Sequence, residues 1–152
     1  MPKQNATWGK RLLVTGLVLA IIAAGIYWYV ATEKFSDTKG EKADFTVNAL
    51  DFIREFREND SAANKKYREM IVEVRGKVGE LEAPDSSTVN VKMVDSGTGD
   101  YVIFEFQDRH AKEAKDLAVG DSILIKGSCS GGHFSDILEK YAVNFKRSTL
   151  SK

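Results

Sequence analysis

The chain has 152 residues, in which 22 lysines and arginines balance 22 aspartates and glutamates. Six of the basic and three of the acidic residues precede Asp44, so 16 basic and 19 acidic side chains remain, a net charge of −3. This balance argues against a protein that holds nucleic-acid phosphates on a basic surface. The single cysteine, Cys129, excludes an internal disulfide. We expect it to be a small buried apolar residue, with a reactive or intermolecular thiol as the alternative.

An apolar segment near the start predicts a membrane helix. Residues 12–31 contain no charged side chain, and a helix of that length, at about 1.5 Å per residue, crosses the roughly 30 Å hydrocarbon core of a bilayer. The segment is longer than the apolar run of a typical cleavable signal and ends in bulky aromatic residues. We therefore expect an uncleaved signal anchor that contacts the lipid bilayer, with cleavage as the alternative.

The residues on either side of this segment predict its orientation. Lys3, Lys10 and Arg11 precede it without an acidic residue, whereas charges of both signs follow it in balance. By the positive-inside rule, residues 1–11 form a cytoplasmic tail of a single-pass protein of the bacterial inner membrane. Residues 32–44 are polar and are expected to form a flexible linker. The rest of the chain then lies in the periplasm or outside the cell.

The polar remainder of the chain, residues 45–152, is long enough for one extracytoplasmic domain. It is predicted to begin with an amphipathic helix whose apolar face carries Leu50, Ile53 and Phe56. Alternating apolar and polar residues then predict three strands joined by two turns. Their expected inward side chains are Met70, Val72, Val74, Val78, Val89, Val91, Met93, Val102, Phe104 and Phe106.

The second half of this domain is predicted to add a helix and two strands. A short helix is expected within 109–119, a fourth strand opens at Ile123, and residues 137–145 supply a fifth. The pair Gly131-Gly132 is interpreted as the turn between the last two strands. Five strands with one helix after the third predict a mainly β fold, a five-stranded OB-fold barrel behind an N-terminal amphipathic helix. A half-open sheet with helices on one side is the alternative.

Two stretches of this domain resemble a known family. NKKYREMIVEVRGKVGELE and LAVGDSILIKGSCSGG resemble the tRNA-anticodon-like OB-fold family of small bacterial proteins, which are often membrane-associated. The likeness covers about residues 50–143 and depends on the segments 64–67 and 127–131. It implies an OB-fold. The family name refers to anticodon-binding domains and does not by itself establish that this chain binds nucleic acid.

A weaker likeness connects HFSDILEKYAVNF with the periplasmic haem chaperone of cytochrome c maturation, which is also an OB protein with one anchor. That family attaches haem through a histidine and has a tyrosine four residues later. This chain has Tyr141 and Phe145 at those two positions, so we expect no haem. The possible metal ligands His110, His133 and Cys129 lack the spacing of a metal site, and we expect neither a metal nor another cofactor.

The candidate binding surface follows from the expected fold. OB-folds hold single-stranded nucleic acids or sugars on a barrel face and its loops, often by aromatic stacking. Tyr101 and Ile103 are predicted to point outward, Tyr141 to lie on a neighbouring strand and His133 in a loop. No nucleophile has a recognisable activating partner, so we expect no catalytic residue and no enzyme.

These observations lead to a membrane-tethered OB-fold binding or adaptor protein of the bacterial envelope as the leading hypothesis. Its expected partner is an envelope protein or a glycan. A single-stranded nucleic-acid-binding domain is the alternative, although the net charge makes nucleic acid an unfavourable partner. A haem or metal carrier is the third hypothesis.

Overall fold

The computed structural model of the chain describes residues 5–32 and 37–151. The chain divides into two units after Phe35. Two stretches lie outside the described residues: 1–4 of the predicted cytoplasmic tail and 33–36 of the predicted linker.

The first unit contains one helix, α1 (Asn5–Thr32). Its segment Trp8–Ala31 has 24 residues, all of them exposed. A helix that is apolar on every side has no polar face to present to water. By length and composition α1 can therefore cross a membrane, and it includes the whole predicted span, residues 12–31.

The second unit combines a β-sheet with three helices. It opens with a 3₁₀ turn, Thr38–Gly40. The elements that follow are, in chain order, β1 (Phe45–Asn48), α2 (Ala49–Glu58), α3 (Asp60–Tyr67), β2 (Ile71–Lys77), β3 (Glu80–Glu82), β4 (Thr88–Val94), β5 (Tyr101–Gln107), α4 (Arg109–Lys115), β6 (Ser122–Ser135) and β7 (Lys140–Leu150). The sheet order is β1-β2-β6-β7-β5-β4-β3, with parallel pairing of β1 to β2 and of β5 to β7.

The sheet corrects the predicted fold class. The chain is a mixed α/β protein with an open seven-stranded sheet, not a mainly β protein with a closed five-stranded barrel. One extra strand, β1, pairs with β2 at one end of the sheet. The other arises because the predicted first strand breaks at Val78 and Gly79: β2 pairs with β6, whereas β3 pairs with β4. Apart from these two changes, the predicted strands follow each other in an OB-like order.

The inner face of the sheet agrees with the predicted alternation. Val91 on β4 and Phe104 on β5 are fully buried, as are their alternate neighbours. Met70 is an exception, because it precedes β2 and is exposed while Ile71 is buried. Phe104 contacts Phe145 of β7 with ring centroids 4.8 Å apart. This contact joins β5 and β7 in one core.

Helix α2 covers this core with one face. Its N-cap is Asn48, whose side chain accepts a hydrogen bond from the backbone N–H of Leu50 at 3.0 Å. Phe52, Ile53 and Phe56 are buried, whereas Leu50 is exposed, contrary to prediction. The buried face of α2 starts at Ala49 and recurs at helical spacing. Leu50 directly follows Ala49 and is therefore rotated by about 100° away from this face.

Strands β6 and β7 are longer than predicted. Gly131 and Gly132 do not form the turn between them but lie inside β6, where the register shifts between Cys129 and Gly131. Gly131 has a φ of +102°, a conformation that glycine adopts easily and that allows a bulge without ending the pairing. The turn therefore falls later, and Ile137 is 94% exposed there rather than in a fifth strand.

The described part of the predicted linker packs on the second unit. Thr38 is buried, and the Lys126 ammonium donates hydrogen bonds to the carbonyl oxygens of Lys39 and Glu41 at 3.0 and 2.7 Å. Asp44 is held to Ile71 by two hydrogen bonds, one from its own N–H and one to its carboxylate. Residues 37–44 are thus ordered parts of the folded unit.

Candidate functional site

A polar cleft lies between α3 and the paired strands β6 and β7. It has a volume of about 400 Å³, which is within the range of small-ligand pockets. We call it the α3–β6 cleft. Its lining residues are Asp60, Ser61, Asn64, Arg68, Ser130, Gly131, Gly132, His133 and Asn144.

Asn64 fastens α3 to β6 at the base of this cleft. Its Oδ1 accepts a hydrogen bond from the Gly132 N–H at 2.9 Å, and its Nδ2 donates to the Gly132 carbonyl at 2.8 Å. The same Nδ2 also donates to the Asp60 carbonyl one helical turn earlier, at 2.8 Å. One side chain thus fixes the helix and the strand in register, and the two segments that carried the family resemblance meet here.

The two glycines of β6 are required by this close approach. A Cβ on Gly132 would lie 2.6 Å from Cδ1 of Phe56, and a Cβ on Gly131 would collide with the amide oxygen of Asn64. Gly131 also has the positive φ noted above. A side chain at position 131 would push α3 away from the strand, and one at position 132 would displace Phe56 of α2, so the two glycines allow both helices to approach β6 closely.

Tyr67 supports the other end of α3. It is buried, and its ring makes edge contacts with Phe45 and Phe52 at 5.0 and 4.9 Å. Its hydroxyl donates to Oε2 of Glu55 at 2.7 Å, while the Lys66 ammonium lies 2.8 Å from Oε1. Burial favours the protonated carboxyl, but the hydrogen bonds from Lys66 and Tyr67 hold the pKa of Glu55 below its ordinary value.

The walls of the cleft carry side chains with unused hydrogen-bonding capacity. Asn64 is fully engaged, but six other polar lining residues make no side-chain hydrogen bond or ion pair within residues 5–32 and 37–151. They supply both donors and acceptors, and one carboxylate faces the same cleft as one guanidinium. The six are Asp60, Ser61, Arg68, Ser130, His133 and Asn144.

Cys129 lies behind this cleft rather than in it. It is a buried free cysteine whose backbone pairs with the residues after α3: its N–H donates to Met70 and its carbonyl accepts from Glu69. Burial raises the pKa of the Cys129 thiol to about 11. A thiol in this state is a poor nucleophile and a poor metal ligand at neutral pH, which supports the expectation of a small buried apolar residue.

The three possible metal ligands do not converge. His133 lines the cleft, whereas the ring of His110 on α4 lies 2.9 Å from the Asp37 carboxylate. His110 is also largely buried, with 14% of its side chain exposed. Within the described part of the chain, no group of three or more His, Cys, Asp or Glu side chains could hold a metal ion.

The predicted binding surface is divided between two faces of the sheet. In the strand register Tyr101 lies opposite Ala142, which lies opposite His133, so Tyr101 and His133 share one face with Ile103. Tyr141 follows the opposite alternation and contacts Phe134, with ring centroids 5.1 Å apart. His133 alone of these four residues lines the cleft.

The outer side of strands β3, β4 and β5, which we call the β3–β5 face, carries mostly charged side chains. Its residues, in two rows across β5, β4 and β3, are Glu105, Asn90 and Glu82, then Ile103, Lys92 and Glu80. The Lys92 ammonium forms ion pairs with Glu80 at 3.2 Å and with Glu82 at 2.6 Å. Burial lowers the pKa of Lys92, but these two carboxylates outweigh it and raise the pKa. The face is thus acidic, with its central cation neutralised.

Most of the cleft could not be identified from sequence reasoning. Only His133 was among the expected surface residues, and Arg68, Ser61 and Asn144 were missed. The usable signal was the coincidence of Asn64 with the double glycine, since both lay in the family-like segments. Polar residues on loops and helix faces are otherwise common, and their convergence depends on tertiary contacts.

Comparison with solved structures places this fold among known ones. A lipoprotein from Klebsiella pneumoniae, named for nucleic-acid binding, matches with a TM-score of 0.57 and 18% identity over 74% of this chain and 100% of that chain. Asparaginyl-tRNA synthetase from Entamoeba histolytica matches with a TM-score of 0.41 and 14% identity, over 55% of this chain and 21% of that chain. The first likeness shows a shared fold. No curated protein matches the chain.

The family comparison covers most of the sequence. The family model named tRNA_anti-like matches residues 6–141, which include all but the first residue of α1 and the greater part of the sheet. This agrees with the resemblance found in the segments around Asn64 and Gly131. The chain belongs to the tRNA_anti-like family.

Proposed function

We propose that this chain is a membrane-tethered OB-fold binding or adaptor protein of the bacterial envelope. In this proposal α1 crosses the inner membrane and the second unit lies on its outer side, where it engages an envelope glycan or protein. The observation that carries the proposal is the exposure of every residue of Trp8–Ala31. Such a helix is stable only when lipid or protein covers it.

Tethering to the membrane supports a binding role. In this proposal the anchored domain meets other envelope components at high effective concentration. Weak intrinsic affinity is then sufficient for a binding protein.

The polar chemistry of the second unit supports binding rather than catalysis. The α3–β6 cleft offers side chains that can donate and accept hydrogen bonds, and the one thiol, Cys129, is buried and fully protonated at neutral pH because its pKa is about 11. We propose that the cleft and the adjoining face of β7 form the contact surface, and that no reaction takes place there.

Two measurements in native membranes test this function. Carbonate extraction of isolated membranes is expected to leave the intact chain in the pellet. Crosslinking in the same membranes, through a photoreactive residue in place of Ser61, should capture a specific envelope component. The same substitution at Lys77, which pairs with Ser122 at the end of β6 away from the cleft, should not. Recovery of the chain in the cytosol, or crosslinks only to lipid from both positions, would overturn the proposal.

Single-stranded nucleic-acid binding is the second candidate. The naming of the Klebsiella lipoprotein for nucleic-acid binding favours it, and OB-folds use the corresponding strands for this purpose. The acidic β3–β5 face opposes it, because Lys92 is already paired with Glu80 and Glu82. Gel-shift titration of the full-length protein in detergent with single-stranded DNA and RNA decides between them. Submicromolar binding that weakens with salt would make this candidate the better one.

A further inference from the structure

We infer that the α3–β6 cleft binds an uncharged saccharide. This inference rests on the proposed function, because glycans are the polyhydroxylated molecules that a domain on the outer side of the membrane meets. The inferred ligand differs from the nucleic acid that OB-folds commonly bind. The place of binding differs too, because the cleft is formed by α3 with β6 and β7 and not by β4 and β5.

The hydrogen-bonding inventory of the cleft fits sugar hydroxyls. Each hydroxyl group can donate one hydrogen bond and accept others, so a saccharide requires donors and acceptors side by side. Arg68 offers only donors and Asp60 only acceptors, whereas Asn144 and Ser130 offer both. None of these side chains has a partner among the described residues, so a ligand need not break internal hydrogen bonds.

The charge of the cleft disfavours a strongly anionic ligand. The carboxylate of Asp60 and the guanidinium of Arg68 line the same space, and their opposite charges leave little net attraction for a phosphate or sulfate group. The domain as a whole is also slightly acidic, with 19 acidic and 16 basic residues from Asp44 onward. A neutral ligand experiences neither repulsion nor a need for additional cations.

The cleft is organised before any ligand arrives. Asn64 holds the helix and strand together through its two hydrogen bonds with Gly132, and the absence of a Cβ on Gly131 leaves room for the Asn64 amide oxygen against the strand. Because α3 and β6 are already joined, their backbone does not have to be ordered when a ligand binds. The volume of about 400 Å³ is suitable for a short saccharide segment.

The test uses the full-length protein in a detergent without a sugar headgroup, with ligand-observed NMR as the readout. The probes are β-1,4-linked tetrasaccharides of glucose, N-acetylglucosamine and mannose. At least one of the three should bind at millimolar concentration. Arg68→Ala and Asn144→Ala should each weaken that binding about tenfold, as expected for the loss of a charged or bidentate hydrogen bond.

Controls separate a specific site from general destabilisation. Lys65→Ala removes an exposed cation from the same helix but outside the cleft lining, and it should leave binding unchanged. Ser61→Ala is a small change on the exposed rim of the cleft. It should weaken binding and leave the melting temperature of the protein unchanged. It provides the comparison if either larger truncation unfolds the domain.

Three results would overturn the inference. They are the absence of binding by all three tetrasaccharides, equal binding by the native protein and the cleft variants, and Arg68-dependent binding of inorganic phosphate in place of the sugars. Each is distinguishable from failure of the proposed function. Capture of an envelope protein, and no glycan, at position 61 in membranes would support the proposed function and contradict the saccharide. A cytosolic chain that binds sugar through Arg68 would support the saccharide and contradict the proposed function.

Discussion

The α3–β6 cleft and the β3–β5 face differ in whether their charged side chains form ion pairs. On the β3–β5 face, Lys92 is neutralised by Glu80 and Glu82. In the cleft, Arg68 and Asp60 line the same space but form no ion pair with each other or with another described residue. Charges that are already paired stabilise the surface, whereas unpaired groups remain available for a ligand. We therefore propose that the binding chemistry lies in the cleft rather than on the β3–β5 face.

The largest expected effect comes from the core that both regions share. Phe104 is fully buried and packs against Phe145 at 4.8 Å. Phe104→Ala should lower the free energy of unfolding by about 3–5 kcal/mol, as measured by urea denaturation monitored by circular dichroism. A loss near zero would mean that the assigned strand faces are inverted.

A matched pair of asparagine substitutions compares the two regions directly. Asn64→Ala removes both hydrogen bonds to Gly132 and leaves that part-buried N–H without its partner, so the free energy of unfolding should fall by about 1–3 kcal/mol. Asn90→Ala, on the β3–β5 face, should change it by less than about 0.5 kcal/mol. Equal losses for the two variants in the same denaturation experiment would contradict a rigid cleft.

The ion pairs of the β3–β5 face should contribute modestly. Lys92→Ala removes the partner of Glu80 and Glu82, whose side chains are 52% and 44% exposed. The loss of unfolding free energy should be about 1 kcal/mol or less and should shrink as salt is added. Because the pKa of Lys92 is raised, this contribution is complete at neutral pH and disappears only as the pH rises through the raised value. A salt-independent loss would exclude ion pairing as the cause.

The smallest effect is an acid-dependent one at the end of α3 that Tyr67 supports. The pKa of Glu55 is lowered, because the hydrogen bonds from Lys66 and Tyr67 outweigh burial. Its contribution is therefore complete above its ordinary pKa of 4.5 and is lost as the pH falls through the lowered value. Glu55→Gln should flatten the acid side of the stability profile in thermal melts recorded from neutral to acid pH. An unchanged acid side would show that Glu55 is not held in this way.

The strand faces could be predicted because they depend on local alternation. Val91 and Phe104 are buried in the positions that a period of two residues requires. The added strand β1 could not be predicted, because Phe45–Asn48 has only four residues and is defined by parallel pairing with β2, more than twenty residues away. The break at Val78 and Gly79 was missed for a similar reason, since only the two pairing partners reveal it.

The cleft shows the same limit more sharply. A double glycine is typical of a turn, but the conformational freedom that makes a turn also permits a bulge within a strand. Gly131 lies at a bulge and Gly132 continues the pairing of β6 with Val143. Asn64, 68 residues before Gly132, holds this part of the strand against α3. No local pattern reports a contact at that separation. The family-like segments indicated that these residues matter together, but not how they meet.

The most direct test of the central claim is the topology of the chain in living cells. Cys129 is buried and protonated, with a pKa of about 11, so it should give little background labelling. Lys10→Cys and Lys112→Cys place single reactive thiols on exposed positions before and after the apolar span. A membrane-impermeant maleimide should label position 112 in intact spheroplasts and position 10 only after lysis. Labelling of position 10 alone in intact spheroplasts, or of neither position before lysis, would contradict a domain tethered outside the inner membrane.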